Sequence, residues 1–457
     1  MNGYPVNCTK VCGQFMFMET PDIPFRKLEF YFQNLEIIRG SLHIFNTTFS
    51  NFSFFKKLKM VDCLSVEYDL SHGMSITDNK NLTNLNMISL INVTCPLSIH
   101  DNPKLDITPL RVRLNDDITQ NIRSWNNKIN ALGCSADDYA DLKTFENCTS
   151  IRANIFIFSD YNVKSLSTAE SISGRLTVNS PKMEDVSFLK SLKTLKSNSF
   201  GEPGLDISGN PQMKRLGLVN LKTLENTCCD RMFRVNLKDL HPDFCLTSQE
   251  MEVFLQSNVV LDAFEASFCK NDSRTDGEIT CDYTDWQSLP SNCQHIIGNV
   301  LITAGDEQFT DKLISVKNIY GTLIIENTTL THLDFLNNMT LIASSDNTTA
   351  FQVISNKMLR DAKLAKLSRA FSLGRIQIDF DDNHPELQSS CKNFMTRLDR
   401  TNVQFDGGPC DINYTPPPTT SEPVTTPQIT TTTKHNARLA EFHVLITILS
   451  AFLYMVR

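Results

Sequence analysis

The sequence has no glycine-rich loop of the kind that cradles phosphates, and no long basic run. It carries 43 Lys and Arg against 51 Asp and Glu, a net charge of -8. Nothing in this balance favours nucleic acid or an anionic membrane surface. No C-x-x-C pair occurs among the 14 cysteines, which removes the common thiol-redox and zinc-ribbon patterns. The opening MNGYPVNCTKVCG lacks a charged start followed by an apolar core, so it does not read as a signal peptide, and the N-terminus is expected to be incomplete. No catalytic constellation emerges, so neither enzyme activity nor a cofactor or metal is expected. His384 beside Asp381 and Asp382 reads as exposed loop polarity, and Cys228–Cys229 as structural cysteines with separate partners.

What is present points to an oxidising compartment. The cysteine count is even and spread along the chain, and Asn-x-Ser/Thr acceptor patterns begin at Asn46, Asn51, Asn81, Asn92, Asn271, Asn327, Asn338, Asn347 and Asn413. Asn7 and Asn147 fit as well. One such pattern arises by chance, but this density together with the cysteines implies a glycoprotein that is secreted or held on the outer face of the plasma membrane.

The chain repeats itself. An opening phrase appears as CTKVCGQFMF from Cys8, CTSIRANIFI from Cys148 and CQHIIGNVLI from Cys293. A second phrase follows as LEIIRGSLHI, AESISGRLTV and VKNIYGTLII, where Gly40, Gly174 and Gly321 precede short alternating strands. Glycine suits a tight bend there, and Ala153 replaces it in the second opening phrase. An apolar string comes next: Phe52, Phe54, Phe55 and Leu58; Val186, Phe188, Leu189 and Leu192; Leu333, Phe335, Leu336 and Met339. A third phrase places Asn79, Asn102, Asn210 and Asn356 between apolar residues, at turns where asparagine either adopts a left-handed backbone or bonds neighbouring main chain. Rungs recur about every 20–30 residues, the period of a strand-and-turn solenoid whose stacked rungs form parallel sheets.

Each copy ends in a stretch that reads as helical and amphipathic and closes on a cysteine: NIRSWNNKINALGC, QEMEVFLQSNVVLDAFEASFC and FMTRLDRTNVQFDGGPC. Such stretches cap a solenoid. Cysteines also stand before the last two, so the pairs Cys245–Cys269 and Cys391–Cys410 are expected to staple these caps.

The apolar residue, Gly, alternating strand and apolar-Phe-Leu string together resemble the receptor L domain, the right-handed β-helix of insulin and EGF receptor ectodomains. The resemblance implies a mainly β chain with short helices, built as L domains at 8–134, 148–269 and 293–410, with a cysteine-containing linker at 270–292. It departs from those receptors in two ways: no furin-like cysteine-rich module fits in the short linkers, and no kinase follows. The likeness is therefore to a stand-alone L-domain protein.

Past Cys410 the composition changes. Residues 411–440 are rich in Thr and Pro and read as an extended, O-glycosylated stalk, while 441–457 carry an apolar run from Phe442 to Val456. The run is shorter than the ~20 residues of a spanning helix. It has the form of a GPI-attachment signal, with Asn436-Ala437 as candidate site, and a short membrane helix is the alternative.

Strand alternation names a candidate binding face. With Phe15, Phe17, Leu42 and Ile44 inward, Met16, Met18, His43 and Phe45 point outward; with Ile155 and Ile157 inward, Phe156 and Phe158 point outward. Outer apolar residues suit a protein-binding patch or, equally, packing against a neighbouring domain. In the resembled receptors, hormone binds an open sheet face of the first L domain. The resemblance thus implies a protein or peptide ligand, insulin- or growth-factor-like, captured by a kinase-less co-receptor, decoy or carrier that needs a spanning co-receptor to signal. The alternative is a structural or adhesive GPI-anchored glycoprotein.

Overall fold

The computed structural model describes residues 6–414 apart from 20–22, 64–72, 112, 115–121, 129–132, 137–139, 229–231, 258 and 399–400. Met1–Thr415 form one compact unit. The Thr/Pro stalk from Thr415 onward, the apolar run after it and Cys229 lie outside the described residues. Among the described residues no helix is long and apolar enough to cross a membrane.

Each opening phrase becomes two short strands separated by a bend: Lys10–Cys12 and Phe15–Met18, Ser150–Arg152 and Ile155–Ile157, His295–Ile297 and Val300–Ile302. The second phrases repeat this at Ile37–Arg39 and Leu42–Phe45, Ser171–Ser173 and Leu176–Val178, Asn318–Tyr320 and Leu323–Glu326. Rung stacks on rung in parallel register, Phe15 opposite Leu42 and Val300 opposite Leu323. Each domain therefore has a sheet of first strands and a sheet of second strands. Inward residues such as Ile38, Ile44, Ile172, Val178, Ile319 and Ile325 are fully buried. The apolar strings form 3-10 turns at Ser53–Phe55, Ser187–Leu189 and Asp334–Leu336, which drive Phe54, Phe55, Leu189 and Leu336 inward and leave Phe188 half-buried.

Backbone proximity explains the second-phrase glycines. A Cβ on Gly40, Gly174 or Gly321 would lie 2.0–2.2 Å from the carbonyl oxygen of Gly13, Ala153 or Gly298 in the preceding rung. The opening-phrase position varies: a Cβ on Gly13 would meet nothing within 4 Å, one on Gly298 would lie 2.9 Å from the Tyr283 carbonyl oxygen, and Ala153 takes no positive φ.

The turn asparagines use their amides rather than a left-handed backbone. The residue before each takes the positive φ: Asp78, Asp101, Gly209 and Ser355. Asn79, Asn102, Asn210 and Asn356 are wholly buried. Asn79 Nδ2 donates to the carbonyls of Ile44 (3.1 Å) and Thr77 (2.8 Å), and its Oδ1 accepts from the Thr47 N–H (2.9 Å). Asn102 Oδ1 in turn accepts from the Asn79 N–H at 3.0 Å, so the asparagines form a ladder that satisfies polar groups no water reaches.

The expected helical ends need correction in the first and third domains. The first domain's stretch contains the strand Ile122–Trp125, which extends the sheet beside Leu97–His100. The second does contain a helix, Ser248–Gln256, followed by the closing strand Val259–Phe264; in the third only Phe394 and Met395 belong to a helix, Cys391–Met395, and the stretch instead holds the strands Val403–Phe405 and Gly408–Pro409. Thr247 and Glu250 make a reciprocal capping box at the longer helix. Five disulfides occur among the described residues: Cys63–Cys95, Cys134–Cys148, Cys245–Cys269, Cys281–Cys293 and Cys391–Cys410. The two read from sequence close their caps over Cα separations of 5.0 and 5.6 Å.

The two junctions differ. The first and second domains share one ten-stranded sheet, in which Cys134–Ser135 bridges Ile122–Trp125, antiparallel, and Ser150–Arg152, parallel. The third domain instead packs its first-strand sheet on the second domain. Ile297, Tyr320, Leu341 and Ala343 belong to the second domain's core cluster, and Phe264 meets Phe371 at 5.6 Å. The Arg369 guanidinium donates to the carbonyls of Leu255 (3.0 Å) and Val259 (3.3 Å) at the end of the capping helix. His295, fully buried, bonds Glu278 through Nε2 at 2.6 Å and faces Asn318 through Nδ1 at 3.2 Å.

Candidate functional site

On the second-strand sheet of the first domain, register aligns two outward rows. One runs Met16, His43, Ser75, Ser98, Arg123 and the other Met18, Phe45, Thr77, His100, Trp125. Alternation sends these side chains away from the core because their neighbours Phe17, Ile44, Ile76, Ile99 and Ser124 are buried. Met16 and Met18 are each 55 % exposed and Phe45 43 %. The far end of the second row is rigid. The His100 and Trp125 rings stack with centroids 3.9 Å apart and planes 9° apart. Asp101 holds His100 Nδ1 at 2.7 Å and accepts from Asn126 Nδ2 at 2.7 Å.

The surface so formed is apolar at the methionine end and aromatic at the tryptophan end, where His100 and Trp125 stack. It offers Arg123 as a peripheral cation, exposed at the end of the other row. Methionine adapts to irregular surfaces, and Trp and Arg are enriched where proteins bind one another. Arg123, His100 and Trp125 were not singled out in the sequence. Ile122–Trp125 is one short strand with only Ile122 and Ser124 buried, so its alternation is a weak signal in the sequence.

Four of the six expected site residues, Met16, Met18, His43 and Phe45, thus share one face. Phe156 and Phe158 do not join them. They sit at the first rung of a separate five-stranded sheet in the second domain, their rings 6.3 Å apart and near parallel. Across that sheet Phe156 is followed by Thr177, Asp206 and Asn236, so the apolar character ends after one rung. The third domain has a counterpart in Leu301 and Ile324, next to Gln352 and Asp379. Burial, with Asp381 and Asp406 nearby, holds the Asp379 carboxyl above its ordinary range.

The acceptor asparagines divide by exposure. Asn46, Asn81, Asn271, Asn327, Asn347 and Asn413 are exposed, while Asn51, Asn92 and Asn338 are half-buried. Asn338 Nδ2 already donates to the Ile314 carbonyl at 2.9 Å. Asn46 follows Phe45 directly, at the margin of the outward rows. His384 caps a 3-10 turn by accepting from the Glu386 N–H, and no group of His, Cys, Asp and Glu among the described residues could hold a metal ion.

The receptor L-domain family model matches residues 7–117, 147–257 and 292–398. The chain belongs to the receptor L-domain family. No curated protein matches it. Its three L domains and five disulfides make it an extracellular protein of the ligand-binding receptor type. The two outward rows lie on the second-strand sheet of its first L domain.

Proposed function

We propose that the first L domain captures a peptide or protein ligand on the face from Met16 and Met18 to Trp125, and that the protein acts as a kinase-less co-receptor, decoy or carrier tethered by its C-terminal tail. The observation that carries this reading is the exposure of Met16, Met18 and Phe45 in register with a clamped His100–Trp125 pair. Isolated exposed apolar residues are ordinary, but exposed apolar side chains on adjacent rungs, in register with a stacked aromatic pair beyond Thr77, suit an interface. The test immobilises residues 1–414 and titrates an insulin-like peptide and an EGF-like growth factor by surface plasmon resonance. Saturable binding of either is expected, weakened at least about tenfold by Phe45→Asp together with Met18→Asp. Leu301→Asp on the third domain should leave it unchanged. Equal binding by all variants, or none by the wild type, sinks the reading.

The exposed acceptor sites spread over the described chain favour a second reading, a structural or adhesive glycoprotein. Occupancy of Asn46, which would fence the Phe45 edge, together with no binding in the titration, would support it.

A further inference from the structure

The segment 270–282 clamps the third domain to the second. Its first half grips the capping helix Ser248–Gln256. Asp272 accepts from the Ser248 N–H at 2.7 Å, and Thr275 donates its N–H and hydroxyl to Gln249. The buried Arg274 guanidinium reaches Glu252 at 2.7 Å, and Asp276 takes the same Nη2 at 2.6 Å. The second half grips the third domain's opening strand. The Ile279 carbonyl accepts from the N–H groups of Gln294 and His295, and Thr280–Asp282 pairs with His295–Ile297. Glu278 bonds both the Lys317 ammonium and His295 Nε2.

His295 is the side chain of this clamp whose charge changes nearest neutral pH. Its Nε2 faces a carboxylate at 2.6 Å and so carries the proton, which leaves Nδ1 as an acceptor for Asn318 Nδ2 at 3.2 Å. The same Nδ2 donates to the Tyr320 hydroxyl at 3.3 Å, and Asn318 Oδ1 accepts from Thr340 Oγ1 at 2.6 Å. Tyr320 is buried in the second domain's core cluster, its ring 5.5 Å from that of Phe268. A second proton on the imidazole turns Nδ1 into a donor that faces a donor. Relief requires the Asn318 amide to turn its oxygen to the ring, which takes Nδ2 from Tyr320 and Oδ1 from Thr340. The surrounding charges are already engaged: Arg274 with Glu252 and Asp276, Lys317 with Glu278. Burial is the largest influence on His295 and holds it below the ordinary histidine value, and burial likewise keeps Tyr320 un-ionised.

We propose that His295 is a proton-operated latch: acidification charges the imidazole, turns Asn318, withdraws its amide from Tyr320 and loosens the third domain from the second at the clamp 270–282. The open junction takes up the proton that the closed one excludes, so closure is complete above the ordinary histidine range and weakens as pH falls through it. One proton shifts such an opening by at most about tenfold per pH unit, which makes the response a graded loosening of the junction. An extracellular protein meets this change when it passes from the neutral cell surface into an acidic compartment. The proposed ligand face lies on the first domain, so the latch stands apart from that reading.

The test compares amide hydrogen exchange of the whole chain at pH 7.5 and 5.5, each rate corrected for the intrinsic pH dependence of exchange. Peptides covering Ser248–Gln256 and Asn318–Tyr320 should exchange at least ~5-fold faster at pH 5.5 and recover on return to pH 7.5, while the second-domain rung Leu176–Val178 stays unchanged. His295→Gln should abolish the difference. Asn318→Asp supplies a carboxylate that accepts the Nδ1–H without turning, and should cut the difference at least ~3-fold although the histidine is retained. The two variants are independent, so loss of folding in one leaves the other to decide. Unchanged exchange at the junction of the wild type, an equal rise at Leu176–Val178, or a full response in either folded variant would each overturn the proposal.

Discussion

Gly321 and Gly13 have similar backbones, with φ of 152° and 143°, but opposite surroundings. A Cβ on Gly321 would stand 2.2 Å from the Gly298 carbonyl oxygen, and one on Gly13 would stand in open space. A normal C···O approach is about 3.3 Å, so Gly321→Ala must part the two rungs by roughly 1 Å. The flanking bonds Gly298 N–H to Tyr320 (2.9 Å) and Val300 N–H to Thr322 (2.8 Å) cannot survive that movement. Their loss, at about 1 kcal/mol each, adds to about 1–3 kcal/mol of backbone strain, for an expected total of about 3–5 kcal/mol. Gly13→Ala has the strain alone. The chain's two tryptophans make the assay direct, since Trp286 is buried in the third domain's core and Trp125 lies in the first. Urea denaturation followed by fluorescence, in Trp125→Phe for the first variant and Trp286→Phe for the second, gives each loss against its own parent. Equal losses would refute the reasoning, because backbone conformation and not rung contact would then be the cause.

Three other outcomes are expected. Asn356→Ala orphans the buried Thr328 N–H and hydroxyl and the carbonyls of Ile325 and Ile354, and should destabilise the third domain by about 3–5 kcal/mol in the Trp286 assay. Burial pushes His295 below the ordinary histidine value of about 6.5, against the opposing pull of Glu278 and Glu252 and alongside Arg274. The unfolded chain therefore takes up a proton that the folded one excludes, so stability is full above about pH 6.5 and falls below it by at most about 1.4 kcal/mol per pH unit. Denaturation midpoints from pH 7.5 to 5.5 should show this slope, and His295→Gln should flatten it. A separate acid loss should begin near pH 4, because Arg274 holds Asp276 at about 2. Arg369→Met removes the donors to Leu255 and Val259 and should speed amide exchange in the last turn of Ser248–Gln256 by at least about tenfold, with little change at Trp286.

Much of the solenoid was legible because each rung repeats one steric demand. Gly40, Gly174 and Gly321 mark where two backbones touch, and Asn79, Asn210 and Asn356 mark where carbonyls need a buried donor. What escaped depends on neighbours the local pattern does not encode. Ile122–Trp125 has only two inward positions in an asparagine-rich stretch, too few for its period to stand out, so Trp125 was assigned to a helical end. Tyr320 and Ile297 alternate outward yet are buried, because the second domain lies over them. Phe156 occupies the repeat position of Met16, but the shared sheet passes from the first domain's second strands to the second domain's first strands. Equivalent repeat positions therefore fall on different surfaces.

That crossover also narrows where a ligand can sit. On the second domain's part of the ten-stranded sheet the outward rows are Ser150, Ser171, Thr194, Thr223 and Arg152, Ser173, Lys196, Glu225, a polar surface with Lys196 and Glu225 paired at 2.8 Å. The third domain's first-strand sheet is covered by the second domain. On the first domain the exposed Met18 and Phe45 share one register with His100 and Trp125, with the buried Thr77 between the two pairs. Met16 and Met18 beside Phe45 are exposed apolar area on adjacent rungs, and association with a partner would remove such area from water.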